Sequence, residues 1–190
     1  MKIKDISVII SGFGGQGTLF AGILLCHAAV LEGKHTTWFP SYGAEMRGGA
    51  VNCCVNISES EIPSPIVDKA DVVIALNDAS QIKFEKKVKK GGFMIINSSL
   101  AHIPTTRTDI NYIKIPFNDL AQKLTQPAFV NVMALGAFIE KTGILKLDSI
   151  IEVMKEMSKT VSAKKAALLP NNIECVKFGA EIIKNQLVTV

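Results

Sequence analysis

Two periods run along this chain. Short β-branched runs, bounded by Gly, Pro, Asn or Asp, alternate with longer stretches in which apolar residues recur every three to four positions. The short runs predict strands and the long ones helices. Ile6–Ser11 (ISVIIS) opens the series. An apolar helix follows over Gln16–Glu32, with Gly33 as its stop. His35–Phe39 predicts a short strand that Pro40 ends. Ala50–Ile57 (AVNCCVNI) alternates, placing Asn52 and Asn56 on one face and Val51, Cys53 and Val55 on the other, as in a half-covered strand. Asp71–Leu76 (DVVIAL) is almost uninterrupted apolar sequence, as expected of a central parallel strand. Asn77 or Asp78 can cap a helix over Ala79–Lys90, which Gly91 and Gly92 break. Gly92–Asn97 and Ile110–Ile115 predict two more strands, the second ended by Pro116.

The final third has only the helical period. Helices are predicted over Asn118–Leu124, over Asn131–Thr142, over Ser149–Ser158 behind an Asp148 cap, and from Asn171 or Asn172 to about Gln186. NVMALGAFIEKT carries a Gly/Ala-rich face that permits close packing. Strands alternating with helices imply βαβ crossovers. The expected architecture is an α/β three-layer sandwich with a mainly parallel sheet and a helical C-terminal third. No repeat or linker divides it, so residues 1–190 are expected to form a single domain.

Composition narrows the function. With 48% hydrophobic and 20% charged residues, the chain can bury a sizeable core. The net charge of +4 is mild, and the lysines sit in helical runs such as KFEKKVKK with no interleaved aromatics, so no nucleic-acid partner is expected. The best apolar window, Phe20–Leu31, is too short for a membrane span, and MKIKDISVIISG has no signal-peptide pattern; a cytoplasmic location is expected. Cys26, Cys53, Cys54 and Cys175 form no CxxC pair, and Cys53 and Cys54 should point to opposite faces of a strand. They read as small apolar residues in a reducing compartment, and no iron–sulfur or zinc site made by this chain alone is expected.

The candidate chemistry lies in two glycine-rich segments. GFGGQG (Gly12, Gly14, Gly15, Gln16, Gly17) falls between a strand and an apolar helix. Such a turn exposes backbone N–H groups at the positive end of a helix and suits phosphate or carboxylate. Gly12, Gly14 and Gly17 match G-x-G-x-x-G, but a dinucleotide site would need an acidic residue at the end of the second strand, and HTTWF supplies none. The glycines could also serve only a tight turn. The second segment, SYGAEMRGG, contains Tyr42, Gly43, Glu45, Arg47, Gly48 and Gly49. Arg47 between glycines suits bidentate binding of an anion on a backbone that a partner can approach closely. His27 reads as packed in its helix rather than as a base. There is no HExxH, no GxSxG and no Walker lysine, Thr18 following Gly17. No self-contained catalytic set is expected.

GFGGQG with its apolar helix, FPSYGAEMRGGAVNCCVNIS, DVVIALN and NVMALGAFIEKTG together resemble the gamma subunit of the 2-oxoacid:ferredoxin oxidoreductases, over Ile6 to about Gly179. The SYGAEMRGG form is most similar to the 2-oxoglutarate enzymes, then to those of branched-chain 2-oxoacids, and less to the pyruvate members. The resemblance implies a complex that turns a 2-oxoacid, coenzyme A and oxidised ferredoxin into acyl-CoA, carbon dioxide and reduced ferredoxin. It implies thiamine diphosphate between alpha- and beta-type subunits, iron–sulfur clusters in beta- and delta-type subunits, and no cofactor on the gamma subunit alone. The gamma subunit would serve assembly and the approach to coenzyme A and the active site, and would be inactive alone. On that basis the Gly12–Gly17 motif, Tyr42, Gly43, Glu45, Arg47, Gly48 and Gly49 are cofactor-binding candidates, joined by Asn77 and Asn131; Cys53–Cys54 departs from the single Cys expected. The competing reading is an independent nucleotide-binding oxidoreductase that uses the glycine loop.

Overall fold

The computed structural model describes residues 3–43, 49–124 and 129–185. Among them, six strands form one sheet in the order β2-β3-β1-β4-β5-β6. They are β1 (Ile6–Phe13), β2 (His35–Tyr42), β3 (Ala50–Ser58), β4 (Ala70–Ala75), β5 (Val88–Asn97) and β6 (Asn111–Ile115). The helices are α1 (Thr18–Leu31), α2 (Asp78–Phe84), α3 (Phe117–Ala121), α4 (Val130–Thr142), α5 (Leu147–Ser158), α6 (Ala163–Ala166) and α7 (Leu169–Lys184). The α/β sandwich and the helical C-terminal portion are as the periodicity predicts. The sheet is mixed: β1, β4, β5 and β6 run parallel, while β3 is antiparallel to both β1 and β2.

Strand alternation divides the core between the two faces. Val8, Ile10, Cys53, Val55, Val72, Ile74 and Ile95 pack with α1, α4, α5 and α7. Ile9, Val73, Ala75, Met94 and Ile96 pack with Val67 and with Phe84 of α2. Cys53 joins the first cluster and Cys54 borders the second, so the adjacent cysteines do face opposite ways. The small residues of α4 serve the close helix crossing expected of them. A Cβ on Gly136 would collide with the Val176 carbonyl of α7, and one on Gly179 with the Met133 carbonyl of α4.

Several boundaries differ from the sequence reading, each for a local reason. β2 runs through Pro40 to Tyr42; it is an edge strand, where proline is tolerated. α2 stops at Phe84, a 3-10 turn covers Glu85–Lys87, and β5 already begins at Val88. Buried Val88 pairs with Ala70, and the Arg107 guanidinium donates to the carbonyls of Glu85 (3.0 Å) and Val88 (2.6 Å). Gly91, with φ of 78°, therefore lies in an irregular strand rather than ending a helix. Asn77, not Asp78, caps α2: its side chain accepts from the Ser80 N–H at 2.9 Å. Asp148 does not cap α5 but lies in its first turn, where a carboxylate favours the helix dipole. α7 begins at Leu169 with Pro170 in its first turn, and Asn172 donates back to the Leu168 carbonyl instead of capping. His27 is exposed, not packed.

Candidate functional site at the carboxyl edge of the sheet

β1, β4, β5 and β6 all end at the same edge. After β1 the chain turns to one face as α1; after β4 it turns to the other as α2. Such a reversal opens a crevice at the carboxyl ends of the strands. β2 runs in the same sense as β1, so the end of β2 and the start of β3 also lie at this edge. The Gly14 N–H donates to the Gly49 carbonyl at 2.9 Å and joins the two glycine-rich segments. Tyr42 is exposed at the end of β2, and the space around Gly43 is open. Glu45, Arg47 and Gly48 lie outside the described residues.

The glycine loop is held from within. Gly15 and Gly17 have φ of 99° and 73°, where side chains are strained. Gln16 folds back over the loop, and its Oε1 accepts from the Phe13 N–H at 2.6 Å and from Asn77 Nδ2 at 3.2 Å. Gly12 leaves room for that oxygen, since a Cβ there would stand 2.6 Å from it. Asn131, in the first turn of α4, donates to the Gly17 carbonyl at 3.1 Å. Asn77 and Asn131 are both buried. The Gln16 N–H turns back to the Phe13 carbonyl, while those of Gly15 and Gly17 meet no acceptor among the described residues. α1 carries no acidic residue in its first turn and no side-chain cap. Its positive end is therefore unopposed there.

Beside the loop opens a cavity of about 700 Å³. Gly15, Gln16, Gly17 and Asn131 form one side; Phe20, Met154, Met157, Val161 and Leu168 supply an apolar wall; Lys165 stands at the rim. The sequence reading missed this wall. Its signal was a methionine pair three residues apart, Met154 and Met157, which is indistinguishable by pattern from ordinary core. Lys165 is exposed in α6 and borders the cavity. Neighbouring polar groups are tied together: Ser11 donates to Ser80 Oγ at 2.9 Å, and Asn97 Nδ2 to Asn118 Oδ1 at 2.8 Å.

Little here is built for proton or metal chemistry. Burial pushes the Cys53 thiol up to about 12, and burial also raises those of Cys26, Cys54 and Cys175, which disfavours the thiolate a metal would need. Among the described residues no three His, Cys, Asp or Glu side chains converge as metal ligands, and no helix is long and apolar enough to cross a membrane. A dinucleotide fold sets its second strand directly beside the first. Here β3 takes that place, and the end of β2 carries no acid among the described residues.

Residues 7–182 match the family described as pyruvate ferredoxin/flavodoxin oxidoreductase. The chain is 36% identical over 180 residues to ketoisovalerate oxidoreductase subunit VorA of Methanothermobacter thermautotrophicus, which covers 95% of this chain but only 37% of that one. It is 35% identical over 143 residues to 2-oxoglutarate synthase subunit KorC of Methanocaldococcus jannaschii, covering 74% of this chain and 76% of that one. Its fold is similar, with a TM-score of 0.78 and 25% identity, to the keto/oxoacid ferredoxin oxidoreductase gamma subunit of Geobacter sulfurreducens, over 95% of this chain and 99% of that one. The chain belongs to the pyruvate ferredoxin/flavodoxin oxidoreductase family, among its gamma-type subunits.

Proposed function

We propose that the chain is the gamma subunit of a complex that oxidises a 2-oxoacid, 2-oxoglutarate being the first choice, to acyl-CoA and carbon dioxide with reduction of ferredoxin. Its part is to bind the anionic end of coenzyme A and to hold that end against the subunits that carry thiamine diphosphate and the iron–sulfur clusters. The observation that carries this reading is the glycine loop itself. Two left-handed glycines present N–H groups without acceptors among the described residues, at a helix end free of acid, beside a cavity with apolar walls. A diphosphate suits the amides, and the uncharged pantetheine arm of coenzyme A suits the cavity. Arg47 supplies the formal positive charge from the segment that Gly49 ties to the loop. The cysteine burial described above supports the view that electron carriers reside in other subunits. A branched-chain 2-oxoacid is the second reading, favoured by the 36% identity to VorA.

The test is co-expression with the companion subunits and an assay of 2-oxoacid oxidation with a viologen acceptor. The chain alone should show no turnover. In the complex, Arg47→Ala should raise the KM for coenzyme A about ten- to a hundredfold, the worth of one charge-assisted contact. Arg47→Lys should recover part of it. Wild-type kinetics and normal assembly of Arg47→Ala would remove the anion-binding role.

A further inference from the structure

Gln16 lies in the glycine loop and Asn77 and Asn131 beside it, and each makes at least one side-chain hydrogen bond to protein there. One oxygen, Gln16 Oε1, receives both the Phe13 N–H and Asn77 Nδ2, at 2.6 and 3.2 Å. Asn77 is 2% exposed and its own oxygen is engaged by the Ser80 N–H at 2.9 Å. One buried asparagine thus joins the first turn of α2 to the turn that starts α1. At the far end of the loop Asn131 Nδ2 holds the Gly17 carbonyl at 3.1 Å. Gly15, between these anchors, has φ of 99° and makes no hydrogen bond to the described residues through its N–H. A four-residue turn with two left-handed glycines would otherwise sample many shapes, and binding would have to order it.

We propose that Gln16 and Asn77 are positioning residues, an amide brace that fixes the glycine loop with the Gly15 and Gly17 N–H groups facing the ligand, while Asn131 of α4 holds the loop's exit into α1. The inference rests on the anion-binding reading above. It predicts that Gln16 and Asn77 act as one unit, since the loss of either frees the same loop.

The decisive variant is Asn77→Ser. Serine keeps the cap of α2 but is too short to reach Gln16, so the fold survives and the brace opens. In the ligand-free full chain, Asn77→Ser and Gln16→Ala should both speed amide hydrogen exchange at Phe13, whereas Gln16→Glu, which retains an acceptor oxygen at the same reach, should not. In the assembled complex, Asn77→Ser and Gln16→Ala should each raise the KM for coenzyme A about three- to tenfold, leaving kcat and the KM for 2-oxoacid unchanged. The double variant should be no worse than the poorer single one. Losses that multiply in the double variant would mean two independent ligand contacts and overturn the brace, as would unchanged exchange and KM in Asn77→Ser. If Arg47→Ala raises the KM for coenzyme A and the brace variants do not, the positioning role falls alone. If exchange quickens but neither the brace variants nor Arg47→Ala alter that KM, the anion reading falls and takes the positioning role with it.

Discussion

The two ends of the sheet solve the same problem in opposite ways. At the amino end, charge is answered within the protein. Asp71 accepts from the N–H and hydroxyl of Ser7 at 2.8 and 2.7 Å and pairs with Lys89 at 2.9 Å. Asp5 accepts from Ser58 at 2.6 Å, and Glu59 pairs with Lys4 at 3.4 Å. A polar cavity of about 370 Å³ lies there, and Asp5, Asp68, Lys69, Asp71 and Lys89 on its lining already have partners. At the carboxyl end the described polar side chains are mostly neutral amides, and backbone donors at Gly15 and Gly17 lack acceptors among the described residues. The contrast teaches that a count of ionisable groups does not locate a ligand site. Donors that the protein itself leaves unanswered do so better.

The largest expected effect breaks the carboxyl end. Gly17→Ala forces a side chain into φ of 73° and sets its Cβ 2.5 Å from Asn131 Nδ2. Gly15→Ala meets the same backbone strain at φ of 99°, but in open space. Gly15→Ala should therefore cost about 1 kcal/mol in urea unfolding and Gly17→Ala about 2–3 kcal/mol, the excess being the displaced asparagine. Equal costs for the two would show that Asn131 gives way freely and does not anchor the loop.

What the sequence revealed follows the same division. The strand–turn–helix at GFGGQG, the buried DVVIAL strand and the opposite faces of Cys53 and Cys54 are local, and period alone predicts them. The antiparallel place of β3 is not local: Ala50–Ser58 reads as a strand in either direction, and only the pairings with Ile6–Phe13 and His35–Tyr42 decide. The same blindness explains Pro40, whose tolerance depends on β2 being an edge. At the site, the glycines were legible because left-handed turns need them. The brace was not, because the Gln16–Asn77 contact spans 61 positions of sequence. Nor was the cavity, whose wall comes from α1, α5 and the start of α7.

A middle-sized effect sharpens the amino end. Burial would raise the Asp71 carboxyl, but hydrogen bonds from Lys89 and Ser7 outweigh it and hold the group below its ordinary 3.8. A carboxyl lowered by folding stabilises the protein above its unfolded value, and that stability is lost as pH falls through the folded value. Asp71→Asn should thus cost about 1 kcal/mol at pH 6, a figure reduced because the side chain is 36% exposed. The gap between variant and wild type should close as the urea midpoint is followed from pH 5 towards pH 3. Glu85 is lowered too, so the variant keeps some acid sensitivity of the same sign. The KM for coenzyme A should not move. A shift in that KM would mean that the two ends are coupled, against the contrast drawn above.

The smallest effect separates charges that matter at the amino end from those that do not. Glu59 faces two lysines. The Lys4 side chain is 72% exposed and its ammonium lies 3.4 Å away; that of Lys34 is 8% exposed and lies 4.0 Å away. An exposed pair gains little, since water and salt screen it and two long side chains must be ordered to make it. A buried ammonium stripped of its counter-charge loses far more. Lys34 Nζ has no hydrogen-bond partner among the described residues, so Glu59 is its nearest compensation. Lys4→Ala should therefore change unfolding free energy by no more than about 0.5 kcal/mol, and that change should shrink further at high salt. Glu59→Gln should cost about twice as much, because it removes the partner of Lys34 as well. Both are read from urea midpoints at low and high salt in the same buffer. Should Lys4→Ala prove the costlier of the two, proximity rather than burial sets the worth of these pairs, and the amino end would owe its order to its exposed charges.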